Sequence, residues 1–123
     1  MKNEKELLLR LKKELFLKIL KGEKKELKRD FTEYYIDKLC VLDKERNIIG
    51  QIQYDNLRIQ LGYSSSELQI GIKGVFIEKY DDVKEDEELT EDNCNFSIEL
   101  GKIIQEINCD NIKIMFNQKK RKQ

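Results

Sequence analysis

Leu57-Arg58-Ile59-Gln60-Leu61-Gly62-Tyr63-Ser64-Ser65-Ser66-Glu67-Leu68-Gln69-Ile70-Gly71-Ile72-Lys73-Gly74-Val75-Phe76-Ile77 is the stretch that decides the fold class. Leu57, Ile59 and Leu61 alternate with Arg58 and Gln60. Leu68, Ile70 and Ile72 alternate with Gln69, Gly71 and Lys73. Successive side chains of an extended chain point to opposite faces, so a period of two reads as a half-buried strand. Gly62 to Ser66 is small and polar and reads as the turn between two such strands. Gly74 breaks the alternation as a bulge does, and Val75 to Ile77 resume it.

Working outward toward the C-terminus, residues 78–92 form an acidic segment that reads as a solvated loop. Phe96, Ile98 and Leu100 alternate again. Residues 102–108 fit helix or strand equally, and Ile112, Ile114 and Phe116 read as a last strand. Toward the N-terminus, Asp43 to Asn47 is a turn, and Ile48 to Tyr54 fits an added strand. Thr32 is placed to cap a helix that carries Tyr35, Ile36 and Leu39 on one face. Residues 12–20 have helical spacing, with Gly22 as the stop. Leu8, Leu11, Leu15 and Ile19 extend that spacing over residues 3–21, yet Leu7, Leu9 and Leu11 also alternate, so residues 5–11 stay open between helix and strand. Helices followed by a mainly antiparallel set of strands give an α+β domain. Closing the sheet into a barrel would remove its exposed edges.

The 123 residues match one domain, read here as 1–118 with a basic flexible tail at 119–123. The 24 basic and 24 acidic residues cancel, but they are not evenly spread. Residues 1–29 hold eleven Lys/Arg against five Glu, and residues 78–92 hold nine Asp/Glu against two Lys. Lys119-Lys120-Arg121-Lys122 is wholly basic. Such polarity suits a charged partner or an internal match. The sequence has no histidine and three cysteines, Cys40, Cys94 and Cys109, without a CxxC pair. That excludes Ser-His-Asp and Cys-His catalysis and argues against a Cys/His zinc site. Neither a metal nor another cofactor is expected. No apolar run nears the ~20 residues of a membrane span, and no signal peptide is recognised, so a soluble cytoplasmic protein is expected.

Phe16-Leu17-Lys18-Ile19-Leu20-Lys21-Gly22-Glu23-Lys24-Lys25-Glu26-Leu27-Lys28-Arg29 joins an amphipathic helix to a Gly-x-Lys pair, with an Arg five residues after the Lys. It resembles the signature of the ASCH family, in a small bacterial or phage branch. Tyr34 to Cys40, the strand end Ile59-Gln60-Leu61-Gly62-Tyr63, and Ile98-Glu99-Leu100-Gly101-Lys102-Ile103-Ile104 resemble further motifs of that branch in the same order. The resemblance implies a small PUA-like β-barrel flanked by helices, with residues 5–11 as its first strand. It implies a cleft in which Lys24 and Arg29 meet RNA or a modified nucleotide, the Arg as a planar fork and the Lys as a point charge. Lys25, Tyr35, Arg58 and Tyr63 join them as candidate contacts, Tyr35 with its neighbour Tyr34 by stacking a base, Tyr63 at the cleft mouth and Arg58 through phosphate.

Some family members hydrolyse an amide on an acylated cytidine, which would make Lys24 the activating base or nucleophile partner, with Glu26 as the other candidate catalytic group. The family places Glu or Thr three residues after the Lys, where this chain has Leu27. A nucleoside amidohydrolase or ribonuclease is therefore one alternative to the binding module. Another is a phage or mobile-element protein, anti-CRISPR-like, that uses its acidic segment to occupy a host protein or ribonucleoprotein complex. The sequence does not fix the oligomeric state.

Overall fold

Residues 5–11, undecided by period alone, form strand β1 (Glu6–Leu11) in the computed structural model, which describes residues 5–110 and 112. Leu7, Leu9 and Leu11 are buried, whereas Leu8 is 40% exposed. A helix face through Leu8 and Leu11 would have required Leu8 inside. The alternation wins because burying every second residue places three leucines in the core.

Lys12 stays extended, and helix α1 (Lys13–Leu20) follows, burying Phe16, Leu17 and Ile19. The charged run after Gly22 becomes strand β2 (Glu26–Asp30). Helix α2 (Glu33–Leu39) starts as its sequence predicts, with the Tyr35 amide donating to the Thr32 hydroxyl oxygen at 3.3 Å. Strands β3 (Cys40–Leu42) and β4 (Ile48–Gln51) form a hairpin of their own. Strands β5 (Asn56–Leu61), β6 (Glu67–Lys79) and β7 (Cys94–Ile107) complete the main sheet. Residues 102–107, which fitted helix or strand, continue β7.

The main sheet has the order β1-β5-β6-β7-β2, with β1 parallel to β5 and the other pairs antiparallel. It curls into a half-barrel with two helices, a small mixed α+β fold. The closed barrel expected from sequence is not reached, because β1 and β2 do not pair with each other. Their connection is α1, and its buried face fills the space inside the curl.

Leu27, Leu57, Ile59, Leu68, Ile70, Phe96 and Ile98 line the concave face at 1% exposure or less, with Phe16 of α1 against them. Phe31 and Phe96 pack with ring centroids 5.2 Å apart. Burial of this set is the main stabilising term, at roughly 25 cal/mol per Å² of apolar surface. The register of β6 on β7 shifts between Ile70 and Ile72 and again between Ile72 and Gly74, so the interruption at Gly74 is a real irregularity.

The convex face of β2, β6 and β7 carries a polar network beside the half-exposed Phe76, which is in register with Ser97. Lys28 Nζ lies 2.5 Å from Glu78, Asn95 donates to the same carboxylate, and the Ser97 hydroxyl donates to Glu26. The hydrogen bond between Lys28 and Glu78 raises the lysine pKa and lowers that of the carboxyl.

Beyond Lys79 the chain leaves the sheet in a series of turns, and all acidic side chains from Asp81 to Asp92 are exposed. This acidic loop caps one end of the β6–β7 ribbon, about 20 Å along the strand from Lys73. Ile112, expected to open a last strand, is helical like Asp110. Asn108 is the cause: its backbone turns to φ 53° and stops β7. Ile114, Phe116 and the basic tail 119–123 lie outside the described residues. Among the described residues, no helix is long and apolar enough to cross a membrane.

Candidate nucleic-acid interface

The end of α1 builds the first part of the site. Gly22 takes φ 77°, a conformation that costs a side-chain-bearing residue about 1 kcal/mol. The turn lets the Lys18 carbonyl accept from the amides of both Glu23 and Lys24, at 2.9 and 3.2 Å. One residue later the Lys25 carbonyl accepts from the Leu100 amide and docks the chain on β7. Lys24 and Lys25 are thereby held at the mouth of a cavity of about 400 Å³. Its walls are Ile19, Ile70, Leu100 and Ile103, and its rim carries Lys24, Lys25, Lys73 and Lys102. A Cβ on Gly101 would sit 3.2 Å from the Gly71 backbone, so glycine there permits the close crossing of β6 and β7 beneath the rim.

A second opening, of about 440 Å³, lies between the end of β1, α1 and β2. Arg10, Lys12, Lys18 and Arg29 surround it, with Leu11 and Leu15 as its apolar lining and Glu14 as its one acid. A third, of about 410 Å³, has Lys18, Lys24 and Lys25 in its wall and so joins the other two. Its two acids are engaged elsewhere, Glu23 with Lys21 at 2.9 Å and Glu26 with Ser97. The three openings form one basic path of eight side chains, from Arg10 through Lys18 and Lys24 to Lys102.

The arginines separate into two kinds. Arg58 is held by Glu6 through Nε and Nη2 and by Glu67 through Nη1, at 3.0–3.2 Å. Arg46 is held by Glu33 and Asp37. Hydrogen bonds to these carboxylates raise both guanidinium pKa values, with Glu6 the larger cause for Arg58 and Asp37 for Arg46. Arg10 and Arg29 have no carboxylate partner among the described residues. Arg29 donates to the neighbouring Lys28 carbonyl, and Arg10 lies over the Tyr63 ring, 4.9 Å from its centroid. Of the four described arginines, the two without a carboxylate partner are the two on the path.

Lys24 and Arg29 therefore do not share one cleft. They line separate openings that meet at Lys18, because Arg29 lies on the concave side of β2 with Leu27 while Lys24 precedes the strand. Lys25 is on the path. Arg58 is not, since its donors are committed to a cross-strand match linking β1, β5 and β6. Tyr35 packs partly buried against the core, and its neighbour Tyr34 is the exposed one, at 62%. Tyr63 is 91% exposed at the Arg10 end of the path. Glu26 points to the convex face. Leu27, where the family pattern has a proton-transferring residue, is fully buried.

The sequence reading missed Arg10, Lys12, Lys18, Lys73 and Lys102. Lys73-Gly74 and Gly101-Lys102 carried a signal, since each pairs a lysine with a glycine where strand alternation falters. Arg10, Lys12 and Lys18 carried none, because only the fold of β1, α1 and β2 sets them around one opening. The cysteines are all buried and unbridged, and burial pushes the Cys40 and Cys94 thiols up. Among the described residues, no group of three His, Cys, Asp or Glu is placed to hold a metal ion. No family model matches the chain, and no curated protein or solved structure matches it.

Proposed function

We propose that the chain is an ASCH-like, PUA-like RNA-binding domain that holds a sugar-phosphate backbone along the basic path. The observation that carries this reading is the partition of the arginines. Among the described residues, Arg46 and Arg58 off the path are each held by two carboxylates, while Arg10 and Arg29 keep their forks available beside six lysines. Phosphate contacts of this kind supply affinity without sequence preference. The resemblance adds support, since it implied a first strand over residues 5–11 and a Gly-x-Lys turn leading into the next strand.

Binding is favoured over turnover. A hydrolase using Lys24 needs a second group to move a proton or orient water. Leu27 is in the core, and Glu26 is bonded to Ser97 on the convex face.

The test is a fluorescence-anisotropy titration of labelled single-stranded RNA against wild type and Lys24→Ala/Arg29→Ala over a range of salt. Wild-type affinity falls steeply with salt. The double variant, which loses one charge from each of two openings, binds more weakly, with a log–log slope shallower by about 0.7 per lost phosphate contact. Absence of wild-type binding at low salt refutes the reading and directs attention to protein partners of the acidic loop.

A further inference from the structure

Tyr63 stands on a turn that is far better made than its own side chain is covered. The Gly62 amide donates to the Leu11 carbonyl at 2.9 Å, tying the turn to the end of β1. The Ser64 amide and hydroxyl both donate to the Leu61 carbonyl, at 2.9 and 2.7 Å. The Gln60 side chain donates to the Ser64 carbonyl at 2.9 Å. Gly62 accepts φ 52° to close the turn. The backbone under Tyr63 is therefore fixed while its ring is left 91% in solvent.

The other four tyrosines differ. Tyr54 donates its hydroxyl to the Lys38 carbonyl, and Tyr35 packs against the core. Tyr34 makes an edge contact with Tyr35 and lies under Lys38. Tyr80 belongs to the margin of the acidic loop. Only Tyr63 adjoins the basic path, and the contact its ring makes is with Arg10, one of the two described arginines without a carboxylate partner. Arg10 lies on one side of the ring at cation–π distance. The opposite face is open.

An exposed aromatic plane at the end of a phosphate-binding groove accepts a nucleobase by stacking. It accepts only a base whose own face is free. In a duplex both faces are occupied by neighbouring base pairs, whereas the unstacked bases of single strands and loops can be splayed onto a protein ring. We infer that the Arg10–Tyr63 pair is a stacking platform for an unpaired base and makes the basic path selective for single-stranded over double-stranded RNA. This rests on the proposed path and deepens it: the lysines and Arg29 hold the backbone, and Tyr63 sets the strand type. Arg10 holds the ring from beneath and reaches the phosphate beside the stacked base.

The test titrates a single-stranded RNA and the blunt duplex of the same sequence against wild type, Tyr63→Ala, Tyr63→Phe and Lys24→Ala/Arg29→Ala. Tyr63→Ala weakens single-strand binding roughly tenfold, leaves duplex binding unchanged and leaves the salt slope unchanged, because no phosphate contact is lost. Tyr63→Phe retains the wild-type preference, since the ring is kept. Equal single-strand affinity in Tyr63→Ala and wild type, while the double variant binds weakly, overturns the platform and leaves the path intact. Equal losses on single strand and duplex also overturn the platform. Failure of wild type to bind either RNA overturns the path and the platform together.

Discussion

Leu27→Glu places a carboxylate three residues after Lys24, and the structure predicts that it destroys the domain rather than creating an active site. Leu27 is fully buried on the concave face of β2, in register with Ile98 of β7. Removing the leucine forfeits about 1.5–3 kcal/mol of apolar burial. The new carboxyl meets apolar neighbours, and even its neutral form, left without a hydrogen-bond partner, costs about 1–3 kcal/mol more. Burial of the charged form costs several. The total is about 3–6 kcal/mol, against a whole-domain stability of about 5–15 kcal/mol. Leu27→Ala is the control, with a cavity cost of about 2–5 kcal/mol and no buried charge. Urea unfolding followed by far-ultraviolet circular dichroism separates them. With a slope of about 2 kcal/mol per molar urea, Leu27→Ala shifts the midpoint down by about 1–2.5 M, and Leu27→Glu shifts it further or is unfolded in buffer. Raising the pH further destabilises Leu27→Glu, because ionisation adds to the penalty. A Leu27→Glu protein with a wild-type midpoint would refute this reasoning. It would mean that position 27 faces water beside Lys24, and carboxylate-assisted hydrolysis would return as a reading.

Arg58→Met removes the clamp on Glu6 and Glu67 and is expected to cost about 1–2 kcal/mol, measured as a lower urea midpoint, since the group is three-quarters buried. The same variant keeps wild-type RNA affinity and salt slope, because Arg58 is off the path. Gly22→Ala loses about 1 kcal/mol through its positive φ alone, as no atom lies within 4 Å of the added Cβ; thermal unfolding reads this as a lowered midpoint. The Asp43 carboxyl titrates below the usual carboxylate range, chiefly because the Asn47 amide donates to it. A depressed folded value means that its support for the β3–β4 hairpin is present above the unfolded pKa and fades as pH falls through the folded one. Carboxyl NMR titration shows the low value, and Asp43→Asn abolishes that part of the pH dependence.

The strands from Leu57 onward were readable because one face of each is buried, so the two-residue period is written into the sequence. Thr32 and Gly22 were readable because helix ends leave polar groups that few residue types satisfy. Strand β1 was ambiguous: Leu8 faces solvent yet extends a helical spacing, and only the sheet's need for Leu7 and Leu9 decides the matter. Strand β2 hides in a charged run because only Leu27 and Arg29 face inward. The half-barrel was not readable as such, since pairing between β1 and β5 joins residues about fifty positions apart and leaves no local pattern. Of the site, Lys24, Lys25, Arg29 and Tyr63 came from the motif resemblance. Whether an arginine is free or clamped depends on carboxylates distant in sequence, which is why Arg58 looked no different from Arg29.

The acidic loop closes one end of the β6–β7 ribbon, while Lys73 and Lys102 of the basic path sit at its middle, in a chain whose formal charge is zero. Such a body feels little net pull from a distant polyanion. Within about 8–10 Å, where salt no longer screens the two regions alike, it feels a torque that swings the lysines inward and the carboxylates away. On the RNA-binding reading proposed above, capture is slow to begin but lands the right way round. On the same reading a bound molecule turns its acidic loop outward, so the coated strand remains a polyanion and repels further strands. The arrangement favours discrete occupancy over the cross-linking that a uniformly basic protein brings about.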